Sequence, residues 1–418
     1  MYREIKKCRI CGNEYLTAVL NLGNLYLSGI FPKIKNAEIT AGPLELVKCD
    51  AGDGSTSCGL LQLRHSYDPG EMYGNQYGYR SGLNQSMVTH LHRLVNKITS
   101  MIHLQHGELI IDIGSNDSTL LQGYPENKYK LVGIDPTGEK FKKFYPPSIT
   151  LIPDFFTSSI VGKYFGSSKA KVITSIAMFY DLESPMDFMR QIYEVLADDG
   201  IWVFEQSYMP TMLEMNAYDT ICHEHLEYYR LKDIKWMTDR IGFKIIDVEL
   251  NSVNGGSISV TVAKSDSPYK EDTAAIERIV TEERNKGLDG LKPYQDFKQR
   301  VYRHRDQLTE FIRKIKSEKK TILGYGASTK GNIILQFCNI TENDVPFIAE
   351  VNTDKFGSFT PGTFIPIVSE EEARAMKPDY FMVLPWHFKE NIVTREENYL
   401  ASGGHLFFPL PIIEVVEK

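Results

Sequence analysis

Long apolar runs are missing from this sequence: no uninterrupted stretch approaches the roughly 18 residues a spanning helix needs, so a membrane-spanning role is not expected. The start, MYREIKKCRICG, carries no apolar signal core, from which we expect a cytoplasmic protein. Excess positive charge is also missing. The 47 Lys and Arg face 54 Asp and Glu, a net charge of −7, and duplex nucleic acid is not an expected partner. Internal repeats and low-complexity tracts are absent. Cysteine is scarce, six in 418 residues, too few for a disulfide scaffold. What is present is ordinary globular composition, 42% hydrophobic and 24% charged, in a chain long enough for two or three domains.

Four of the six cysteines fall in the first 58 residues. Cys8 and Cys11 form a C-x-x-C knuckle followed by Gly12, and Cys49 and Cys58 form a second pair followed by Gly59. Four thiolates are the ligand set of a closed, structural zinc site. The second pair is spread by the insert DAGDGSTS, which a knuckle would have to loop out; four unconnected thiols is the plainer reading.

Periodicity organises the rest. Residues 83–106 place Met87, Leu91, Leu94, Val95, Ile98 and Ile102 three and four apart, an amphipathic helix. Strand patterns then alternate with helical ones: Leu109–Ile113, Tyr129–Ile134, Lys171–Ser175 and Gly200–Gln206, with a helix over Pro185–Ala197. Alternation of this kind predicts a parallel, doubly wound sheet. A charged helical stretch follows, then a second α/β pattern with strands Thr321–Tyr325, Val345–Val351, Asp379–Leu384 and His405–Phe408 and a helix over Gly331–Cys338. The fold class is therefore α/β: an amino-terminal zinc-binding unit (1–75), a Rossmann-like unit (76–268), a helical connector (269–318) and a Rossmann-like carboxy-terminal unit (319–418).

The first strand runs into Asp112-Ile113-Gly114-Ser115-Asn116-Asp117. A nucleotide lies across such a strand end, and Asp135, ending the next strand, can accept both ribose hydroxyls. The turn lacks the second and third glycines of a dinucleotide site. A ribose without a diphosphate fits better, which favours S-adenosylmethionine over another nucleotide or a plain turn. Asp154, where a third strand would end, is placed to meet an adenine amine or to sit on the surface. The stretch YDTICHEHLEYY sets His223 and His225 around Glu224. It offers general bases, a chelating H-x-H, or simply a polar loop. Gly256 and Ser257 in NGGSISV make a tight turn or approach a ligand. In ILGYGASTKGN, amides at a helix start with Lys330 beside them can cradle an anion, or only turn the chain. Trp386 and His387 can line the same cleft or belong to a strand end.

Together, CRICG with its second Cys pair, IDIGSND, YDTICHEHLEYY, NGGSISV, GYGASTKGN and FTPGTFIPI resemble the deoxysugar C-methyltransferases, collinearly over nearly the whole chain. The resemblance implies a zinc domain, a methyltransferase domain and a carboxy-terminal α/β domain. It implies transfer of a methyl group from S-adenosylmethionine to C-3 of a 4-keto-6-deoxy sugar linked to dTDP, GDP or CDP. It makes His225 the base, with Glu224 beside it and His223 in the same loop. Cys222 stands where that family usually has tyrosine, so Tyr77 and Tyr79 are candidates to supply a hydroxyl. Ser118 replaces the glycine of its SNDG loop. The cofactor set is then Asp112, Gly114, Asn116, Asp117, Asp135 and Asp154. The nucleotide-sugar set is Tyr77, Cys222, Gly256, Ser257, Lys330, Asn332, Trp386 and His387. An O- or N-methyltransferase, or a non-enzymatic binding module, are the competing readings, and a monomer is the favoured state.

Overall fold

The computed structural model describes every residue except 1, 36, 51–56 and 74–78; Tyr77 and most of the insert between Cys49 and Cys58 therefore lie outside the described residues. Near the amino terminus an antiparallel four-stranded sheet runs in the order Glu227–Tyr228, Leu61–Leu63, Ala41–Cys49, Leu16–Tyr26. Its inner face buries Leu44, Leu46, Leu61 and Leu63 completely. The edge strand Glu227–Tyr228 comes from the H-E-H segment, whose residues carry no strand period. Its pairs are Glu227 opposite Gln62 and Tyr228 opposite Leu61, and Leu63 N donates to Leu226 O at 2.8 Å.

The predicted amphipathic helix is Gln85–Met101. Asn84 caps it by accepting from Ser86 N, and it buries Met87, Leu91, Leu94, Val95 and Ile98 on one stripe. It packs on a seven-stranded sheet. Across that sheet the strands are Phe243–Asn251, Ser257–Lys264, Leu196–Ser207, Ala170–Ile176, Leu109–Ile113, Lys130–Ile134 and Ile149–Ile152. The last five are parallel to one another. Ser257–Lys264 runs antiparallel to both of its neighbours, which departs from an all-parallel expectation. The tight turn at Asn254–Gly256 permits it: a two-strand hairpin needs no crossover helix.

The connector is two helices, Thr273–Asn285 and Lys292–Ser317. The longer one buries Tyr294, Phe297, Val301, Leu308 and Ile312 along one side. A six-stranded sheet follows, ordered Ile367–Ser369, Ile348–Glu350, Ile322–Tyr325, Tyr380–Val383, His405–Phe408, Glu414–Val416, parallel except for the last strand. One apolar cluster runs from Leu44 and Leu46 through Met209, Tyr218 and Ile221 to Val301, Ile333 and Phe381. The H-E-H segment is thus embedded between the amino-terminal sheet and the carboxy-terminal unit. Among the described residues no helix is long and apolar enough to cross a membrane.

Candidate active site

A cavity of about 320 Å³ opens at the carboxyl ends of the parallel strands, where an open α/β sheet binds its ligands. Gly114 forms its floor at φ +72°. A Cβ there would stand 3.1–3.2 Å from the Met178 side chain, so the backbone favours glycine and any side chain would crowd Met178. Asp112, Asn116 and Asp135 also line the cavity. Asp135 accepts from Asn116 N at 2.7 Å and from Thr137 N and Oγ1, each at 2.6 Å. Asp112 accepts from Thr174 Oγ1 at 2.6 Å, and burial raises its carboxyl to about 7. Tyr79 and Ser257 line the cavity too, the hydroxyl of Ser257 donating to Val253 O at 2.9 Å.

Two expected cofactor residues are not brought to the cavity. The Asp117 carboxylate is spent on Gly82 N at 2.9 Å and on Thr119 Oγ1, tying the glycine loop to the preceding 3-10 turn. Asp154 is exposed and accepts from its neighbour Phe155 N. Ser118, at the position expected to favour glycine, adopts φ +64°; its hydroxyl donates to Phe144 O and accepts from Gln122 Nε2.

The H-E-H side chains diverge. His225 is half-buried, its Nδ1 2.8 Å from Thr220 O. A carbonyl can only accept, so Nδ1 carries the proton and Nε2 keeps its lone pair. The His225 ring lies 4.3 Å from that of Tyr180, which lines the cavity. Burial and the nearby Lys330 ammonium depress the imidazole to about 3. His223 points instead into the amino-terminal unit. It is fully buried, edge-on to Tyr67 at 4.6 Å, and burial holds it neutral, down to about 4. Glu224 lies against Gly29, where a Cβ would stand 2.6 Å from Oε1; burial raises its carboxyl. Cys222 is fully buried and burial raises its thiol well above the ordinary range.

The carboxy-terminal unit reaches the same loop. Lys330 Nζ donates to Asn254 O at 2.8 Å, spanning to the turn that ends at Gly256. The Trp386 indole N–H donates to Asp219 Oδ2 at 2.8 Å and packs where a Cβ on Gly255 would be. His387 stands near Lys330, and burial drives its imidazole far down. Two other residues expected at substrate serve the framework. Asn332 Nδ2 donates to Ser28 O at 2.7 Å, and Gly256, at φ +122°, makes room for Thr211. Sequence reading missed Tyr180, Asp181, Gln206, Asn254 and Asp219. The first three stand at or just beyond the carboxyl ends of predicted strands, where position alone singles them out.

The Sγ atoms of Cys8, Cys11, Cys49 and Cys58 all lie within 4.8 Å of one another. Cys8–Cys58 and Cys11–Cys49 are each 3.5 Å apart. A tetrahedral zinc with bonds of about 2.3 Å sets its sulfurs about 3.8 Å apart, so the residues fit the ion and complete its shell. Asn13 Nδ2 donates to Cys49 Sγ at 3.3 Å.

Family models match three successive segments. These are a putative zinc binding domain (residues 8–73), a methyltransferase domain (79–248) and a C-methyltransferase C-terminal domain (252–411). The C-methyltransferase NovU of Streptomyces niveus is 30% identical over 421 residues, covering 99% of this chain and 97% of that protein. Among solved structures, the CurJ carbon methyltransferase is 15% identical at a TM-score of 0.36, over 48% of this chain and 62% of that one. The Haloferax volcanii complex of the Trm112 methyltransferase activator with a putative methyltransferase gives 11% identity and a TM-score of 0.35, over 44% and 94%.

Proposed function

Because the chain belongs to the C-methyltransferase family, we propose that it transfers a methyl group from S-adenosylmethionine to C-3 of a nucleotide-linked 4-keto-6-deoxy sugar. S-Adenosylmethionine supplies an electrophilic methyl on a sulfonium. The nucleophile is the carbon next to the sugar ketone, whose hydrogen is acidic. The observation that carries this reading is the fixed tautomer of His225: Thr220 O holds Nδ1–H at 2.8 Å and leaves Nε2 to take that proton. Burial and Lys330 keep the imidazole neutral in the resting protein. An enolate forming nearby offsets the Lys330 field and raises the basicity of His225 as the proton moves. For the nucleotide we assign a second hollow, of about 680 Å³, whose walls include Phe31, Lys33, Arg80, Lys140 and Lys355.

The test is product analysis with dTDP-, GDP- and CDP-linked 4-keto-6-deoxy sugars. A carbon-bound methyl, preceded by exchange of the α-proton in heavy water, is expected; an oxygen- or nitrogen-bound methyl refutes the reading.

Two further results are expected. Gly114→Ala forces a side chain into the left-handed region and against Met178. The left-handed backbone costs about 1–2 kcal/mol of stability, and the displaced loop should weaken cofactor binding about tenfold in Kd by calorimetry; unchanged affinity would remove Gly114 from the cofactor site. Lys330→Met removes the cation that depresses His225. The folded-state imidazole then titrates at higher pH, so the acid limb of kcat/KM moves up, while Lys330→Arg leaves it in place. An unmoved limb in Lys330→Met separates Lys330 from the base.

A further inference from the structure

We propose that Gln206 hydrogen-bonds the oxygen of the reacting ketone, donating from Nε2 to the enolate formed when His225 takes the α-proton. The assignment rests on the ketosugar reading above. Gln206 is 2% exposed, yet among the described residues neither Nε2 nor Oε1 has a hydrogen-bond partner. A buried amide group left unpaired costs about 1–3 kcal/mol, and Gln206 lines the cavity. Its partner is therefore a polar group of the ligand.

Strand geometry says which ligand. Side chains alternate along Leu196–Ser207. Glu205 turns to His90 on the Gln85–Met101 helix, 2.6 Å away. Trp202 and Phe204 turn to the other face, where both contact Phe179. Gln206 shares the face of Trp202 and Phe204. It is thereby directed to the side of Phe179 and Tyr180, and Tyr180 carries the His225 ring contact at 4.3 Å. Across the sheet, Leu196–Ser207 lies two strands from Leu109–Ile113, about 10 Å from the Gly114 loop at roughly 4.8 Å per strand. Gln206 thus faces the methyl acceptor rather than the cofactor.

The amide does not titrate; its Nε2 only donates and its Oε1 only accepts. As the C–H bond breaks, its electron pair becomes the enolate C=C. The carbonyl π pair moves to the oxygen held by Gln206 Nε2, and the proton goes to His225 Nε2. The enolate carbon then takes the methyl group, and the C–S pair stays on sulfur as S-adenosylhomocysteine leaves. Oε1 accepts from a hydroxyl on the neighbouring carbon.

The experiment measures α-proton exchange in heavy water by mass spectrometry. It uses the full-length protein saturated with S-adenosylhomocysteine and the dTDP-, GDP- and CDP-linked 4-keto-6-deoxy sugars. Gln206→Met and the isosteric Gln206→Glu are each expected to slow exchange about 10²–10³-fold, the worth of one oxyanion donor. Affinity for S-adenosylmethionine should stay within about twofold, the resolution relevant to a tenfold scale. In Gln206→Glu exchange should recover toward acid pH, where a protonated carboxyl again donates; a merely structural role gives no such recovery. Exchange at the native rate in both variants overturns the assignment. So does a loss of cofactor affinity with exchange intact at saturation, which would make Gln206 a cofactor contact. If the native protein exchanges none of these sugars, the ketosugar reading fails and takes the assignment with it.

Discussion

Replacing His225 by alanine should lower methyl transfer about 10²–10⁴-fold, the usual contribution of a positioned general base. Cofactor binding should survive, because His225 is not among the residues that line the cavity proposed for the cofactor. The variant removes Nε2 but leaves the backbone of the loop tied at Leu226 N to Tyr180 O, 2.8 Å, so the surrounding packing stays in place. Initial rates with radiolabelled S-adenosylmethionine, beside calorimetric titration of the same cofactor, make the test. Turnover within tenfold of native, on the scale where 1.4 kcal/mol is a factor of ten, would transfer the base role elsewhere. The divergence of the H-E-H side chains sharpens the expectation. His223→Gln perturbs a buried ring in the amino-terminal unit and belongs to stability, whereas His225→Ala belongs to chemistry.

The second large effect concerns metal. Stripping zinc with a chelator, or Cys49→Ser, should cost both folding and activity. Cys49 ends the strand Ala41–Cys49, and Cys58 lies just before Leu61–Leu63. An ion on the four sulfurs ties those two strand ends to the knuckle at Cys8 and Cys11. Structural zinc binds small peptides with about 10–16 kcal/mol at neutral pH, and much of that is folding energy. The loss does not stay local. Leu61–Leu63 pairs with Glu227–Tyr228, two residues beyond His225, so melting this sheet releases the loop we propose to be catalytic. We expect one zinc per chain by elemental analysis, a fall of many degrees in Tm on its removal, and activity lost in parallel. A metal-free protein with native Tm and turnover would refute the structural role.

How much of this was legible in the sequence follows from how local each signal is. The strands Leu109–Ile113 and His405–Phe408 were read to the residue, because a short apolar run flanked by turn residues needs no distant information. The helix at Gln85–Met101 was read several residues too long, since its end is set at Ile102 by the sheet it packs on rather than by a capping residue. The four cysteines came from their clustering and the C-x-x-C spacing at Cys8 and Cys11. The placement of Glu227–Tyr228 on a distant sheet did not, because two residues carry no period. Asp117 and Asp154 were assigned to ligand from their place along the chain, but a short carboxylate next to free loop amides satisfies those first. Gln206 was visible as the end of a predicted strand; that its amide has no partner among the described residues is a property of three dimensions.

The pairing of Leu61–Leu63 with Glu227–Tyr228 has a consequence for how the chain comes together in time. The partners are separated by roughly 165 residues, the longest separation of any strand pairing among the described residues, so this edge closes late. Until then Leu61–Leu63 is an open sheet edge, a template for mispairing with other chains. A ribosome-bound or truncated product ending before residue 227 would carry a formed cysteine cluster beside that bare edge, which makes it the species a cell must shield.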